Sequence, residues 1–288
     1  MCKDAIVDYS VVIPAFNRQH TIAASIESVL SQTAPPIEVI LVDDGSTDAT
    51  VSVARDVDPS IQVLSTEGRR GACFARNLGA AHAKTGWIAF QDSDDVWMPT
   101  KQQKFCDVIR TFDVTAAFGA FFAVSDNRRA VAGLPLDPRD RVADCVLSLN
   151  STRGLLQQNC VSTQTLMLTK QRLDQAGGFN PKLRRFQDWD LAIRLVDQGS
   201  LAFVHEPLVV VQQQENSLSR NFEAGLESRY HFLSAYAERY QRDPDSTAAM
   251  LQDIALRELA SMKPHRAAIA ALRSLGNRIR SWKGASKS

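Results

Sequence analysis

Apolar residues follow two different spacings over the first hundred positions of the chain. Four short, continuous runs rich in β-branched residues predict buried strands, at 10–16, 37–46, 61–66 and 87–90. Three intervening segments carry apolar residues three and four positions apart and predict helices, at 21–32, 46–57 and 71–84. This alternation predicts an α/β fold with a Rossmann-like, mostly parallel central sheet and helices on both of its faces.

The pattern is less regular after residue 98. The elements that it predicts there are helices at 99–112 and 188–199 and strands at 115–124 and 163–170. Residues 125–160 are polar and irregular, and we expect them to face a substrate. From residue 221 the sequence reads as amphipathic helices without strand signals, which predicts a C-terminal helical extension.

Three groups of polar residues follow predicted strands directly. Ligands of parallel α/β sheets bind beyond the carboxyl ends of the strands. That rule places Pro14–Asn17, Asp43–Asp44 and Asp92–Asp94 along one edge of the sheet. Segments far apart in the sequence should therefore meet in one crevice.

The segment "QDSDD" holds three carboxylates within four positions, Asp92, Asp94 and Asp95. Oxygen ligands are what Mg²⁺ or Mn²⁺ prefer, and a bound cation would remove the repulsion and clamp a diphosphate. The same acids also fit a solvated turn that caps a helix before Pro99. Taken alone, this spacing does not decide between the two interpretations.

The segment "VDDGS" offers a second acid pair, Asp43 and Asp44. A carboxylate there could accept the N3–H of uracil or the N1–H of guanine. The alternative is a strand-to-helix turn in which an aspartate caps the helix and Gly45 takes an unusual backbone conformation.

Two further sets of charged residues have both functional and structural interpretations. Asp188 and Asp190 would point about 200° apart on a helix, so one could cap the helix while the other acts as a general base. Both could instead complement the helix dipole. Arg69, Arg70 and Arg76 flank the start of the third helix, where they could hold phosphate or form a solvated surface.

Composition narrows the class of protein. The 288 residues are 44% hydrophobic and carry a net charge of +1, so overall charge gives no reason to expect nucleic acid binding. The five cysteines are scattered, odd in number and free of CxxC pairs, which favours reduced thiols in a cytosol. We see neither a signal peptide nor an apolar run of membrane-spanning length.

Four segments in order, "VVIPAFNRQHTIAASIESVLSQT", "EVILVDDGSTDAT", "GACFARNLGAAHAKTGWIAFQDSDD" and "GGFNPKLRRFQDWDLAIRL", resemble family 2 glycosyltransferases of the GT-A fold. The resemblance covers roughly residues 10–220. It implies a catalytic domain at 1–220, divided into a nucleotide-binding half at about 1–98 and an acceptor-binding half at about 99–220, followed by a helical extension at 221–288.

The resemblance also assigns the nucleotide-binding residues. It makes Pro14, Ala15 and Asn17 neighbours of the nucleoside. It implies that Asp44 contacts the base and that Asp43 orients the loop.

The remaining donor-side residues come from two further motifs. The resemblance puts Arg76 near the nucleotide or its phosphates. Asp92 and Asp94 match the DxD motif, with Asp94 as the direct ligand of Mn²⁺ or Mg²⁺ and Asp92 near the ribose or sugar and close to the metal. Ser93, between them, belongs to the donor site.

Asp188 matches the family's catalytic base, which implies direct displacement with inversion. Two departures from the family pattern bear on activity. Gln187 stands where a Glu is common, and Gln212 and Gln214 replace an Arg-x-His pattern whose His can contact metal or diphosphate. We therefore expect weaker binding of metal or phosphate.

The implied function is transfer of a sugar, with UDP-sugar as the default donor, to a hydroxyl of a glycan or lipid-linked acceptor in bacterial surface polysaccharide or glycolipid synthesis. Two alternatives stay open: transfer to a polyprenyl phosphate, and a catalytically silent nucleotide-sugar-binding protein. The expected location is the cytoplasm. The basic segment 263–288 leaves open a peripheral contact with the membrane, a homodimer, or an untethered tail.

Overall fold

The computed structural model describes residues 7–125, 128–134, 143–147, 152–212 and 222–285. The strands are β1 (Tyr9–Ala15), β2 (Glu38–Asp43), β3 (Gln62–Ser65), β4 (Trp87–Phe90), β5 (Val96–Trp97), β6 (Ala116–Gly119), β7 (Phe121–Ser125), β8 (Arg128–Ala132), β9 (Cys145–Leu147), β10 (Met167–Thr169), β11 (Leu201–Val204) and β12 (Val209–Gln212). The helices are α1 (Ile22–Leu30), α2 (Thr50–Val57), α3 (Ala72–His82), α4 (Lys101–Phe112), α5 (Thr152–Gln157), α6 (Lys170–Gln175), α7 (Gln187–Val196), α8 (Phe222–Ala235), α9 (Ala237–Arg242), α10 (Pro244–Ala260) and α11 (Pro264–Ala285).

The main sheet has eight strands in the described residues, in the order β3-β2-β1-β4-β10-β6-β11-β9. β1 to β4 are parallel to one another, and β11 is parallel to β6. β10 is antiparallel to both of its neighbours, and β9 is antiparallel to β11. The sheet is therefore mostly parallel, as predicted, and the loops that follow β1, β2 and β4 share one edge.

Helices cover both faces of the main sheet. Successive residues of a strand point to opposite faces and therefore pack against different helices. Val11 and Ile13 belong to an apolar cluster that includes residues of α1 and α4. Val12, between them, belongs to a second cluster that includes residues of α3 and α7. Buried strands of this kind read as continuous apolar runs, which is why the sequence pattern located them.

A glycine allows α3 to lie close to the sheet. A Cβ at Gly79 would lie 2.4 Å from Cγ1 of Val12 and 3.0 Å from Cγ2 of Val42. Separations below 3.0 Å require the backbone or the neighbouring side chain to move. The close approach of α3 also fixes Arg76, one turn earlier, beneath the loop edge.

The predicted strand at 115–124 is two strands in different sheets. β6 belongs to the main sheet, whereas β7 joins a second sheet with the order β5-β12-β7-β8 in the described residues. The chain changes sheets at Ala120, whose N–H donates to the carbonyl of Val204 and whose carbonyl accepts from the N–H of Leu208. The prediction of one continuous strand was wrong because the apolar run contains no local signal that the chain leaves one sheet and joins another.

The prediction that 125–160 is irregular was wrong in part. The described portions of this region contain β8, β9 and α5. The predicted strand at 163–170 is shorter than expected, because residues 163–165 form a 3₁₀ turn before β10. The pattern also missed α6, β11 and β12.

The predicted C-terminal helices form and pack against the rest of the chain. Leu156, Trp189 and Ile193, from α5 and α7, share an apolar cluster with residues of α8, α9, α10 and α11. The edge-to-face contact between Trp189 and Phe232, with ring centroids 4.9 Å apart, lies within this cluster. The division of the chain at residue 220 stays a prediction.

Candidate active site

Hydrogen bonds join the loops that follow β1 and β2. Asn17 has a φ of 52°, in the left-handed region, and its Oδ1 accepts a hydrogen bond from the backbone N–H of Thr47 at 2.8 Å. Its own N–H donates to Oγ of Ser46 at 2.9 Å, and the N–H of Ser46 donates to both oxygens of Asp43 at 3.2 Å. With the buried end of β1, Pro14–Ala15, these residues form one wall of the edge.

The buried Asp44 holds the loop that precedes α3. Its Oδ1 accepts hydrogen bonds from the N–H of Arg70 at 2.8 Å and from Oγ1 of Thr66 at 2.9 Å, and its Oδ2 accepts from the N–H of Gly71 at 2.8 Å. Asp43 is only half-buried and is therefore the more open carboxylate of the pair. The base contact of Asp44 stays a prediction.

The three acids after β4 lie in two different surroundings. The side chains of Asp92 and Asp94 are 27% and 24% exposed at the loop edge. Ser93 and Asp95 are buried, and Oδ1 of Asp95 accepts a hydrogen bond from the backbone N–H of Gln212 at 3.1 Å. Asp95 therefore ties this loop to the second sheet, and the DxD pair alone faces the edge.

Two arginines face the DxD pair. Nη2 of Arg76 lies 2.7 Å from Oδ1 of Asp92, and Nη2 of Arg18 lies 3.5 Å from Oδ2 of Asp94. Burial and the neighbouring Asp92 carboxylate raise the pKa of Asp94, while Arg18 opposes the rise. Because burial and Asp92 outweigh Arg18 at Asp94, a divalent cation that arrives with its ligand would stabilise this carboxylate further.

Arg76 is buried and links the DxD motif to a third acid. Burial alone would lower the pKa of this guanidinium, but the carboxylates of Asp92 and Asp188 raise it. Its Nε has no hydrogen-bond partner in the described part of the chain. The sequence placed Arg76 near phosphate, and the structure gives it a carboxylate partner within the protein.

Asp188 lies in the first turn of α7, after Phe186, whose φ is 63°. Its Oδ1 accepts hydrogen bonds from the N–H of Trp189 at 2.7 Å and from Nδ2 of Asn159 at 3.1 Å. Burial raises the pKa of Asp188 to about 6, although the N–H of Trp189 and the charge of Arg76 oppose this rise. A half-buried carboxylate with such a pKa is a competent general base near neutral pH.

The other acid of "FQDWD" has a structural role. Asp190 is buried, and its carboxylate accepts hydrogen bonds from Nη2 of Arg194 at 2.6 Å and from the hydroxyl of Tyr236 at 2.7 Å. Gln187 donates to the carbonyl of Leu183 at 3.1 Å, so its side chain stays within its own loop.

The two arginines before α3 stack on aromatic rings. The guanidinium of Arg69 lies 4.2 Å from the ring centroid of Phe16, and that of Arg70 lies 3.6 Å from the ring centroid of Phe74. Both residues are exposed, as expected for a charged surface beside the edge. Gln212 contributes its backbone N–H to Asp95, and Gln214 lies outside the described residues.

A cavity of about 450 Å³ adjoins the Asp188 side of the site. It lies between the β7–β8 hairpin and residues 158–162, and Asn159, the hydrogen-bond donor to Asp188, lines it. The sequence had placed a substrate-facing region at 125–160, but it gave no signal for Asn159 itself. Arg18 was also missed, although it directly follows Asn17 in a loop that the strand-end rule had selected.

The described residues contain neither a ready cluster of metal ligands nor a membrane-spanning helix. No group of three or more His, Cys, Asp or Glu side chains there is arranged to bind a metal ion. None of the described helices combines the length and the apolar character needed to cross a bilayer.

The sequence of this chain is similar to those of known proteins. The family model described as "Glycosyl transferase family 2" matches residues 10–149. The Escherichia coli protein WfgD, a UDP-Glc:alpha-D-GlcNAc-diphosphoundecaprenol beta-1,3-glucosyltransferase, is 35% identical over 233 residues, which cover 80% of this chain and 86% of that protein.

Solved structures show the same fold at low sequence identity. S. aureus TarS 1-349 in complex with UDP-GlcNAc is similar with a TM-score of 0.66 and 15% identity, over 93% of this chain and 89% of that one. The mannosyltransferase PcManGT from Pyrobaculum calidifontis, in complex with GDP-Man and Mn²⁺, is similar with a TM-score of 0.62 and 17% identity, over 99% and 81%. These likenesses confirm the predicted GT-A fold.

Proposed function

Because this chain belongs to glycosyl transferase family 2 and is a glycosyltransferase, we propose that it moves a sugar from a UDP-sugar to a hydroxyl of a lipid-linked glycan, with inversion at the anomeric carbon. The observation that carries the proposal is the line of charges from Asp92 through Arg76 to Asp188. It connects a donor-side acid to an acid suited to removing a proton. The acceptor class is supported by the lipid diphosphate in the name of the relative WfgD, which acts in lipid-linked glycan synthesis.

The donor nucleoside is proposed to lie against the wall formed by Pro14, Ala15, Asn17 and Asp43. Hydrogen bonds already fix this wall between the first two loops, so little ordering is needed when the donor arrives. Asp44 is proposed to accept from the base with the remaining lone pair of Oδ2 while it holds the loop at 66–71.

The donor diphosphate is proposed to lie over Asp92, Ser93 and Asp94. Asp94, with Asp92 beside it, would hold a Mg²⁺ or Mn²⁺ ion, because both carboxylates face the edge and the contact of Arg18 with Asp94 is long, at 3.5 Å, and partly exposed. When bound, such an ion supplies positive charge that favours departure of a nucleoside diphosphate.

Asp188 is proposed to act as the general base. Its carboxylate takes the proton of the acceptor hydroxyl as that oxygen forms a bond to the anomeric carbon, and the bond from that carbon to the diphosphate oxygen breaks. The electron pair of the broken bond leaves with the nucleoside diphosphate, and the configuration at the anomeric carbon inverts. Asn159 and the N–H of Trp189 hold the carboxylate in position.

The cavity of about 450 Å³ beside Asn159 is proposed to receive the acceptor sugar. Asn159 lines the cavity and donates to Asp188, so an acceptor hydroxyl bound there could reach the carboxylate. The phosphate of a polyprenyl phosphate is already ionised, so such an acceptor would need no general base to remove a proton. The hydrogen bonds from Asn159 and from the N–H of Trp189 hold a carboxylate in place beside the cavity, and this arrangement favours a hydroxyl acceptor over that alternative.

The proposal is tested with a panel of nucleotide sugars, each with Mn²⁺ or Mg²⁺, scored by thermal shift and by release of nucleoside diphosphate on addition of a synthetic lipid-diphosphate sugar. We expect the largest shift and release with a UDP-sugar, and a product whose anomeric configuration by NMR is opposite to that of the donor. Thermal shifts without release for any acceptor would indicate a silent binding protein. A folded sample that binds no nucleotide sugar would refute the proposal.

A further inference from the structure

The α10–α11 pair exposes an unusual amount of apolar surface. Nine large apolar side chains are exposed in the described part of the chain, and six of them lie within twenty positions: Leu256, Leu259, Met262, Ile269, Leu272 and Leu275. Single exposed apolar residues are common on soluble proteins, whereas a contiguous group marks a contact surface.

These side chains form one continuous face. A groove of about 520 Å³ runs between α10 and α11, and Leu256, Leu259 and Leu275 line it. The inner side of α11 is marked by the buried Ser274, and Leu272 projects about 160° away from it around the helix axis. The apolar face therefore continues from the groove over the outer side of α11, where Leu272 is 70% exposed.

Basic residues lie beside this face. Arg266 and Arg273 are seven positions apart, so they occupy the same side of α11, next to the stripe that contains Leu272. Both are exposed, and the ion pair of Arg266 with Glu258 is long, at 3.9 Å. A basic stripe that flanks an apolar stripe is the arrangement of helices that lie in the interface of a bilayer.

Positive charge is concentrated in the C-terminal segment that contains α11, whereas the rest of the chain is net negative. Residues 261–288 hold seven of the 33 Lys and Arg residues and none of the 32 Asp and Glu residues. The first 260 residues therefore carry 26 basic against 32 acidic residues, a net charge of −6. An anionic surface would attract the C-terminal segment and repel most of the remaining chain, which orients the molecule.

We propose that the α10–α11 face rests on the surface of an anionic membrane, with its leucines among the lipid chains and its arginines at the phosphates. A second copy of the chain is a poorer occupant, because a two-fold contact through α11 would bring two segments of seven positive charges together. The biological use of this contact rests on the proposed lipid-linked acceptor, which would lie in the same membrane.

The α10–α11 face shares an apolar core with α7, the helix that carries Asp188. Ile254 and Ala270, from α10 and α11, lie in the same apolar cluster as Trp189, the residue that follows Asp188. A helix pair that shares a core with α7 holds the site at a fixed position relative to the membrane surface. A lipid-linked acceptor would then reach the site by lateral diffusion within the membrane.

The contact is tested by co-sedimentation of the full chain with vesicles of phosphatidylcholine alone or with 30% phosphatidylglycerol, without donor or acceptor. We expect binding only to the anionic vesicles. Leu272→Gln/Leu275→Gln should weaken it by at least about tenfold, because two apolar side chains leave the lipid. Arg266→Gln/Arg273→Gln should weaken it by roughly 25-fold, about fivefold for each charge removed.

Matched controls change residues of the same types elsewhere on the surface. Ile37→Gln removes an apolar side chain that is 62% exposed, and Arg55→Gln/Lys182→Gln removes two exposed charges. Both should bind vesicles within about twofold of wild type, because neither lies on the proposed face. Equal losses in the controls, or no binding of the wild-type chain to anionic vesicles, would overturn the proposal.

Light scattering and donor hydrolysis complete the test. We expect a monomeric mass for the wild-type chain, and a dimer that Leu272→Gln/Leu275→Gln dissociates would assign the face to a second copy instead. Release of nucleoside diphosphate to water should be unchanged in both α11 variants, because their substitutions lie on an exposed surface. Vesicle binding by a chain that shows no transfer would leave the membrane contact standing and refute only the transferase proposal.

Discussion

The guanidinium of Arg76 donates a 2.7 Å hydrogen bond to the carboxylate of Asp92 and acts electrostatically on Asp188 from within the same buried region. One cation thus serves the DxD motif and the first turn of α7, two parts of the chain about ninety residues apart. Neither motif is electrostatically independent of the other, and changes at Arg76 should affect both.

Replacing Arg76 should shift the pH dependence of transfer. The charge of Arg76 lowers the pKa of Asp188, so Arg76→Ala should raise that pKa above its value of about 6 and move the acidic limb of the kcat profile to higher pH. Arg76→Lys keeps the charge but loses the planar donor, so it should lower kcat with a much smaller displacement of the limb. Identical profiles for both variants would contradict an electrostatic role.

Asp188→Asn should lose catalysis and gain stability. The loss of a general base should reduce kcat by about 10²–10⁴-fold, while donor binding measured by thermal shift should be retained. If transfer instead remains near the wild-type rate, the acceptor is already ionised, as a polyprenyl phosphate would be.

The gain in stability follows from the raised pKa. Between pH 3.8 and about 6 the unfolded chain releases the proton of Asp188 while the folded chain keeps it, so stability falls as the pH rises through this window. At pH 7 Asp188→Asn should therefore raise the free energy of unfolding by up to about 3 kcal/mol, and the difference from wild type should vanish near pH 4. Urea titrations at the two pH values measure it.

The neighbouring acids Asp94 and Asp95 should differ in their sensitivity to the same substitution. Asp94→Asn removes a partly exposed carboxylate from the proposed cation site, so we expect a rise of tenfold or more in the Mn²⁺ concentration needed for half-maximal activity. Asp95→Asn keeps an oxygen that can accept from the N–H of Gln212, so activity and metal dependence should stay within about threefold of wild type. Equal metal phenotypes would show that the cation site includes Asp95.

Gly79 should be intolerant of a methyl group. A Cβ there would lie 2.4 Å from Val12, so Gly79→Ala should lower the free energy of unfolding by about 1–3 kcal/mol as α3 is pushed from the sheet. Gly86→Ala is the matched control, because no heavy atom lies within 4 Å of its added Cβ. Arg76 moves with α3, so Gly79→Ala should also lower kcat.

Sequence reasoning located the elements whose signal is local. The strands β1 to β4 and the helices between them were found because buried parallel strands and amphipathic helices each have their own periodicity. The change of sheets at Ala120 was missed because it depends on hydrogen bonds to Val204 and Leu208, which the sequence places far away. Antiparallel β10 was located, but its length depended on partners in the same way.

For the candidate site, too, the sequence predicted the features that depend on topology and missed those that depend on distant contacts. The strand-end rule placed Asp43, Asp92 and Asp94 on one edge, because it depends only on topology. The rule did not separate Asp94 from Asp95. Asp95 is buried because it accepts a hydrogen bond from Gln212 of β12, a strand that the pattern did not reveal, whereas Asp94 remains partly exposed. Asn159 lacked any signal because its importance comes only from its distance to Asp188.

The apolar cluster that joins α5 and α7 to the last helices has a consequence for synthesis of the protein. Trp189 leaves the ribosome about eighty residues before Ala270, yet both belong to one cluster. The strands β1, β2, β3 and β4 pair with one another early in the chain, although β4 also pairs with β10 and the core beside β1 includes residues of α4, β11 and β12. The turn that carries Asp188 cannot reach its final packing until the C-terminal helices have been translated, so the loops proposed to bind the donor are synthesised well before the proposed base can be held in place.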